Sequence, residues 1–378
     1  MRRTFILINN TGVGGAERRF GRLFARMAND SPTALLVINR SLWRKLLEAG
    51  VVSGHEKRVW RLPEPWLRLA EGMGLRQGKL AFWLRKLDYL LFACMLLARY
   101  ALATRRVFHF VLGGAYIGFP LMVMRPDHRT VISVVDENLA RLVGVFWSLP
   151  VYLFALRRCD GIDALTEGVR VDLVRRRIAG DKIVVSSGSV VDTVRFRPLP
   201  QKEPWVVFTG RLIDWKNPLL FVEAMPAIHR AVPCAQFYLL GEGPLRPQVE
   251  QALDRLRLRR FVELGFRADL APVLGKARVF VSLQRQDNYP SQSLLEAMAC
   301  GVVPVATDVG LTWKLVDETT GIRVKPDPGP IAEAVIALLQ DPQRCDRLGR
   351  AARQRVLEQH SDERYRAYLG SLYARVEA

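Results

Sequence analysis

Residues 279–307 of the chain read VFVSLQRQDNYPSQSLLEAMACGVVPVAT, and this stretch carries the clearest fold signal in the sequence. The apolar run at 279–283 has the β-branched and aromatic residues of a buried strand. A polar loop follows, then a helix-like run at 291–300 that Gly301 ends, and then a second apolar run at 302–307. A strand, a helix and a strand in this order predict one unit of a parallel sheet.

The same alternation extends on both sides of this stretch. Strand-like and amphipathic helix-like runs alternate from residue 205 to residue 339, which predicts an α/β fold with a parallel, doubly wound sheet. In such sheets ligands bind beyond the carboxyl ends of the strands, so the loops after the strands are the place to look for chemistry. The other predicted strands are 205–209, 236–240, 261–264 and 322–324, and the other predicted helices are 218–229, 245–258, 270–276 and 331–339.

Two cations follow the strand at 205–209. Arg211 and Lys216 precede Asn217, which can cap the next helix, and Pro218, which suits a first helical position. Cations at the edge of the sheet beside a helix N-terminus suit a diphosphate. Two solvated surface cations remain the alternative. The turn Gly241-Glu242-Gly243-Pro244 after the next strand allows a close ligand approach, but it is weak evidence alone.

The loop after 279–283 adds a second set of polar groups. Ser291 or Ser293 can cap a short helix whose free N–H groups would donate hydrogen bonds to phosphate oxygens. Glu296 lies about one turn inside that helix among apolar residues, where a carboxylate needs a partner or a function. An exposed glutamate on the polar stripe of the helix is the alternative.

Composition excludes several classes of site. The five cysteines and five histidines are scattered, without C-x-x-C or H-x-x-x-H spacing, so we expect neither a disulfide framework nor a metal site. The apolar run Phe5 to Ile8 is too short for a signal peptide and predicts a first buried strand, and the run from Tyr89 to Tyr100 is too short to span a bilayer. We therefore expect a cytoplasmic protein.

Net charge is concentrated in the first half of the chain. Residues 1–200 contain 32 Lys and Arg against 16 Asp and Glu, whereas the rest of the chain contains 24 against 21. An anionic lipid surface, nucleic acid or a plain solvated surface could each explain this excess. Large apolar residues interleave with cations over residues 60–102, which favours a membrane surface, although a core helix with basic outer residues remains open.

Several motifs together resemble a known family. Residues 294–305 look like the signature of family four of the retaining glycosyltransferases, which have the GT-B fold: two Rossmann-like domains whose parallel sheets face each other across a cleft. Four further stretches resemble family motifs in the expected order: Gly14-Gly15-Ala16-Glu17-Arg18, Gly210-Arg211-Leu212 with Lys216-Asn217-Pro218, Gly241-Glu242-Gly243-Pro244, and Leu264-Gly265-Phe266. The resemblance is strong over 205–324 and at the first turn, and weak over 43–156.

The resemblance implies a role for each matching residue. Arg211 and Lys216 would neutralise the donor diphosphate, Glu296 would hydrogen-bond the donor ribose, and Phe266 and Arg267 would lie near the nucleobase. The family usually has an acidic residue eight positions before the second one; here that position holds Asn288, and Asp287 is the candidate sugar contact. The remaining implied donor-binding residues are Gly14, Gly15, Asn288, Ser291, Ser293 and Leu294.

The implied reaction is transfer with retention at the anomeric carbon, in which cations and helix N-termini stabilise the leaving diphosphate without a metal ion or other cofactor. Asp136, which follows a predicted strand at 131–135, is the candidate for acceptor contact or catalytic base. A loop carboxylate that caps a helix is the alternative for Asp136.

The resemblance also implies the domain organisation and the partners. We expect an acceptor-binding domain at 1–196, completed by a C-terminal helix at 361–378, and a donor-binding domain at 197–360. The expected activity moves a hexose-type sugar from a nucleotide-diphosphate sugar to a glycan or lipid-linked acceptor, in bacterial polysaccharide or lipopolysaccharide synthesis, at the cytoplasmic face of the inner membrane. A nucleotide-sugar 2-epimerase of the same fold is the alternative. A nucleic-acid partner is not expected, because the spacing of RRM and KH modules is absent.

Overall fold

The computed structural model of the protein describes residues 2–8, 15–30, 34–48, 50–52, 58–75, 79–112, 114–135, 148–186, 189–267 and 269–378. The chain divides into two compact units, one formed by Met1–Gly188 with Tyr365–Ala378 and the other by Ser189–Arg364. The division therefore precedes the boundary predicted at residue 196. Among the helices in the described ranges, none has both the length and the apolar composition to cross a bilayer.

The first unit contains a seven-stranded parallel sheet with the order β3-β2-β1-β4-β5-β6-β7. Its strands are β1 (Arg2–Ile8), β2 (Leu35–Asn39), β3 (Val59–Leu62), β4 (Arg106–Leu112), β5 (Arg129–Val134), β6 (Gly161–Ala164) and β7 (Ile183–Val185). Its helices are α1 (Gly15–Asp30), α2 (Arg40–Glu48), α3 (Pro65–Gly72), α4 (Lys79–Tyr100), α5 (Gly114–Met124), α6 (Ser148–Arg158) and α7 (Glu167–Arg175).

The second unit contains a six-stranded parallel sheet with the order β10-β9-β8-β11-β12-β13. Its strands are β8 (Glu203–Thr209), β9 (Gln236–Leu240), β10 (Val262–Gly265), β11 (Ala277–Ser282), β12 (Val303–Thr307) and β13 (Ile322–Val324). Its helices are α8 (Pro218–Ala231), α9 (Arg246–Arg255), α10 (Ala271–Lys276), α11 (Gln292–Ala299), α12 (Pro328–Gln340) and α13 (Pro342–Gln359). The predicted parallel α/β fold is confirmed.

Apolar side chains cover both faces of each sheet. In the second unit one core contains Phe221 and Val281, and another contains Phe280 and Met298. Val281 and Phe280 are consecutive on β11, so their side chains project to opposite faces and each meets a helix layer. This explains why the strands read as continuous apolar runs instead of alternating ones.

The last helix, α14 (Asp362–Glu377), contributes its residues from Tyr365 onward to the first unit. Tyr365, Leu369 and Tyr373 are buried there, at the spacing of one helix face. The Tyr368 hydroxyl donates to Asp163 at 2.9 Å. The predicted packing of the C-terminal helix on the first domain is therefore seen.

Candidate active site

The strand order places a candidate site in the second unit between β8 and β11. Its order runs outward in both directions from these two central strands, so the crossover connections leave the sheet on opposite sides there. Such a topological switch point leaves a crevice at the carboxyl ends of the two strands. The loop 210–217 follows β8 and the loop 283–291 follows β11, so both sequence-predicted loops meet at this crevice.

Lys216 and Arg211 form a positively charged pair in the first of these loops. Burial and, secondarily, the nearby Arg211 charge lower the pKa of Lys216 to about 8. The Lys216 ammonium lies 4.6 Å from the centre of the Trp215 ring, whose face stabilises a cation. Burial and the neighbouring positive charge of Arg211 both raise the free energy of the Lys216 ammonium, and a bound anion would lower it.

Asn217 is not the helix cap that the sequence predicts. It occupies the position before α8 in a left-handed conformation, with φ 57°, and its side chain makes no capping hydrogen bond. The Asn217 Oδ1 atom instead accepts from Arg285 at 3.4 Å. Pro218 does take the first helical position, as predicted. The prediction about Asn217 is wrong because a tertiary contact competes for its side chain.

Arg285 connects the two loops of the crevice. Its backbone N–H donates to the Trp215 carbonyl oxygen at 2.9 Å, and its guanidinium lies 3.8 Å from Asp214. These contacts, with the one to Asn217, hold the loop after β11 against the loop after β8. The loop after β11 therefore helps to position Arg211 and Lys216, in addition to the loop after β8 on which both residues lie.

Glycines in the turn after β9 allow neighbouring loops to approach closely. A Cβ atom at Gly241 would lie 1.8 Å from the Gly210 carbonyl oxygen, and one at Gly243 would lie 2.4 Å from that of Leu212. Leu212 N–H also donates to the Glu242 carbonyl oxygen at 2.9 Å. In this structure the close approach that these glycines permit is to the backbone of the Arg211 loop.

A small cavity lies at the start of α11, beside the loop after β11. The predicted residues Asn288, Ser291 and Leu294 line it, and sequence reasoning missed Gln284 and Thr312. The full lining is Ser282, Gln284, Asn288, Tyr289, Ser291, Leu294, Thr312 and Leu315. Thr312 lies after β12. The sequence pattern of the loop after β11 gives no sign that this later part of the chain reaches the same cavity.

Gln284 brings an unused acceptor to the lining of this cavity. Its Nε2 donates to Ser282 Oγ at 3.1 Å, but its buried Oε1 has no partner among the described residues. A buried polar atom without a partner costs free energy unless a ligand or water satisfies it. The Ser282 contact fixes the orientation of the Gln284 amide, so its oxygen could accept from a ligand without a change in the side-chain conformation.

The N-terminus of α11 also leaves polar groups available. Ser291 occupies the N-cap position, but its side chain does not accept from a helix N–H; its Oγ lies 3.4 Å from Ser293 Oγ. The predicted serine cap is therefore absent. A helix N-terminus whose first N–H groups lack a side-chain acceptor favours an anion.

Glu296 is half-buried on an otherwise buried helix. It accepts from Gln292 Nε2 at 3.1 Å, and Gln292 also donates to the Val190 carbonyl oxygen at 3.3 Å. A carboxylate among apolar residues needs a hydrogen-bond partner. For Glu296 one such partner is Gln292, a neutral amide one turn earlier in the helix.

Asp287 is exposed and held by two neighbours. Its Oδ1 accepts from the Tyr289 N–H at 3.1 Å. Its side chain also packs on Gly310, where a Cβ atom would lie 2.2 Å from the Asp287 carboxyl carbon. Gly310 has φ +53°, so both its conformation and its lack of a side chain position Asp287 against the loop after β12.

The remaining predicted residues lie away from this cavity or outside the described ranges. Phe266 is exposed after the edge strand β10, and Arg267 pairs with Glu263 through contacts of 2.5 and 2.8 Å. Gly15 begins α1 beyond β1, at the switch point of the first sheet. Gly14 and Asp136 lie outside the described residues. Within the described residues no group of three His, Cys, Asp or Glu side chains is arranged to hold a metal ion.

Comparison with known proteins links part of the second unit to a known family. Residues 203–341 match the family described as "Glycosyl transferases group 1". The chain is 28% identical to alpha-maltose-1-phosphate synthase of Mycolicibacterium smegmatis over 59% of its own length and 65% of the relative's. It is 32% identical to alpha-D-kanosaminyltransferase of Streptomyces kanamyceticus over 39% of the chain and 40% of that protein. The matches thus span less than two thirds of these relatives.

A solved structure resembles the chain over its full length. The complex of Anabaena Alr3699/HepE with UDP has a TM-score of 0.74 at 16% identity, covering 99% of this chain and 100% of that one. At this identity the likeness concerns the fold. The chain therefore has the α/β GT-B architecture, and its second unit carries the sequence pattern of the group 1 glycosyl transferases over residues 203–341.

Proposed function

We propose that the protein is a retaining glycosyltransferase of family four, which moves a hexose-type sugar from a nucleotide-diphosphate sugar to a glycan or lipid-linked acceptor. The observation that carries this proposal is the arrangement at the β8–β11 switch point. A desolvated lysine, a second cation and an uncapped helix N-terminus lie on loops that Arg285 ties together. These groups suit the two phosphates of a nucleotide donor.

Each residue takes a role that its surroundings allow. Arg211 and Lys216 neutralise the charge that grows on the diphosphate as it leaves, and the α11 N–H groups donate hydrogen bonds to its remaining oxygens. Glu296 accepts hydrogen bonds from the donor ribose, with Gln292 orienting its carboxylate. Asp287 contacts the sugar, and no cofactor or metal ion takes part. Asp136 is the proposed group on the acceptor side.

The proposed setting is the assembly of bacterial polysaccharide or lipopolysaccharide at the cytoplasmic face of the inner membrane. Support comes from the solved glycosyltransferase structures that share the fold, one of which is the lipopolysaccharide outer core galactosyltransferase WaaB, with a TM-score of 0.65 at 13% identity. The excess of cations in the first half of the chain favours an anionic surface as its partner.

A thermal-shift screen across nucleotide sugars tests donor binding, since a bound donor raises the melting temperature according to its affinity. The Glu296→Gln variant should bind the best donor about tenfold or more weakly, because a hydrogen bond to a charged group contributes roughly 1.5–3 kcal/mol.

Glu358→Gln is the matched control. Glu358 accepts from Gln354 at 2.8 Å with the same spacing that joins Glu296 to Gln292, but it lies on the exposed side of α13. Equal donor shifts in the two variants would remove Glu296 from the site. Donor binding without acceptor-dependent sugar transfer would point to the epimerase instead.

A further inference from the structure

The outer side of α4 is apolar along most of its length. Leu80, Trp83, Leu87, Leu90 and Cys94 recur every three or four residues, so they form one stripe along the helix. Trp83 and Leu90 are 58% and 62% exposed. The opposite side of the helix is buried in the first unit's core, so this stripe points directly outward. Among the described side chains of α4, this stripe favours the membrane-surface interpretation of the sequence over a core helix with basic outer residues.

Neighbouring helices extend this surface. Helix α4 packs between α3 and α5, and both expose further large apolar side chains. These side chains are Trp66, Leu69 and Met73 at α3 and Val123 and Met124 at α5. An exposed apolar patch that several helices share marks an interaction surface, whereas single exposed apolar residues need no explanation. The two tryptophans have the ring chemistry that prefers a membrane–water interface.

A cluster of cations lies on the other flank of α3. A cavity of about 980 Å³ there is lined by Arg40 and Arg44 of α2, Arg61 of β3 and Arg68 of α3. All four arginines are exposed. Within the described part of the chain, none of these guanidinium groups forms an ion pair with a carboxylate. Arg68, which lines the cavity, and Leu69, which is exposed and apolar, are consecutive on the eight-residue helix α3. The cavity and the apolar surface therefore lie close together on this helix.

The floor of the cavity is held rigidly. The buried Glu64 carboxylate accepts from the Ser41 N–H at 2.6 Å and from Asn39 at 2.9 Å, and thereby ties the start of α2 to the start of α3. Asp88 of α4 accepts from the Leu67 N–H at 2.9 Å. The arginines and the α4 stripe therefore belong to one fixed framework, in which N–H donors already engage Glu64 and Asp88, while the exposed Glu71 also lines the cavity.

We propose that this surface of the first unit docks on an anionic bilayer, with the apolar side chains of α3 and α4 in the interfacial zone and the cavity arginines on lipid phosphates. The tryptophan and leucine side chains complement the apolar part of such a membrane, and the unpaired arginines complement its phosphates. The inference rests on the membrane setting of the proposed function, but its residues belong to the first unit, so a failure to bind vesicles would leave donor binding by the second unit untouched.

Vesicle flotation tests the proposal with the full-length protein. Wild type should float with vesicles of phosphatidylcholine and phosphatidylglycerol and bind much more weakly to phosphatidylcholine alone. The variant Trp83→Gln/Leu90→Gln should lose about tenfold or more of its binding, and the loss should persist at high salt, because apolar contacts are not screened. Arg44→Gln/Arg68→Gln should weaken binding to anionic vesicles roughly fivefold for each arginine.

The matched controls are Val194→Gln and Arg347→Gln, which change exposed residues of the second unit and should leave flotation unchanged. All variants should keep the wild-type melting temperature, since each altered side chain is exposed. Absent flotation of wild type, or equal losses in the control variants, would overturn the proposal. So would a wild-type dimer in solution that Trp83→Gln/Leu90→Gln dissociates, because the surface would then join two copies of the chain.

Discussion

At the scale of single residues, the site contains groups whose charge or hydrogen-bonding capacity is not satisfied by their neighbours. Lys216 lies beside Arg211, and Gln284 Oε1 is buried without a partner among the described residues. Each group costs free energy in the unliganded protein. Such costs are typical of binding sites, where a ligand supplies the missing partner.

Lys216 gives the site a pH dependence with a definite sign. Its pKa of about 8 in the free protein means that the ammonium loses its proton as the pH rises through 8. A diphosphate binds the protonated form, so donor affinity should be nearly constant below pH 7 and fall about tenfold between pH 7 and pH 9. Titration calorimetry with the best nucleotide sugar would measure this change.

The Lys216→Arg variant is the control for this profile. A guanidinium stays protonated throughout this range, so the variant should bind the donor with an affinity that no longer falls above pH 8. The same decline in Lys216→Arg as in wild type would assign the pH dependence to another group.

At the scale of elements, the clearest finding is the way α14 attaches to the first sheet. Its Tyr373 hydroxyl lies 2.6 Å from His109 Nδ1, while His109 Nε2 lies 2.7 Å from Ser133 Oγ. Ser133 donates to Asp163 at 2.5 Å, which assigns the proton of the neutral imidazole to Nε2. These residue types resemble a hydrolase triad, but all are buried, so they connect a helix to three strands instead of meeting a substrate.

Asp163 should be the key residue of this attachment. It accepts from Ser133, Tyr365 and Tyr368, so Asp163→Asn would turn an N–H₂ group toward hydroxyl donors in a buried site. We expect the free energy of unfolding to fall by about 1–3 kcal/mol, measured by urea denaturation. Asp172→Asn, which removes a partly exposed partner of Arg176, should cost less than about 0.5 kcal/mol. Similar losses in both variants would contradict the role of Asp163.

At the scale of the whole molecule, each unit contains a histidine whose pKa burial lowers strongly. Burial lowers the pKa of His109 in the first unit and of His360 in the second to about 4. The unfolded chain binds these protons near pH 6.5, so it gains protons first as the medium is acidified. Stability is therefore full above pH 6.5 and is lost as the pH falls toward 4.

The expected loss is large enough to measure. Between pH 8 and pH 5 each histidine should lower the free energy of unfolding by about 2 kcal/mol, as urea denaturation at the two values would report. His360→Gln should remove roughly half of the pH dependence. A free energy that stays constant over this range would show that the two imidazoles are not held in the neutral form.

The sequence predicted the second unit closely and the first unit only in part. The runs at 236–240 and 322–324 match their strands, and the run at 279–283 lies within one or two residues of β11. Strands buried on both faces are continuous apolar runs that loops with glycine and proline separate, so local pattern suffices there. Helix α13 was missed because its outer residues are so largely polar that no apolar run marks it.

By itself, the sequence determined the parallel α/β fold, the loop that carries Arg211 and Lys216, the helix that carries Glu296, and the presence of a C-terminal helix. Only the tertiary structure decided the partners: Arg285 for Asn217, Gln292 for Glu296, and Gly310 for Asp287. It also decided that the stripe of α4 faces outward. Burial periodicity is a local property of the chain, whereas a side chain's partner depends on which loops the strand order brings together.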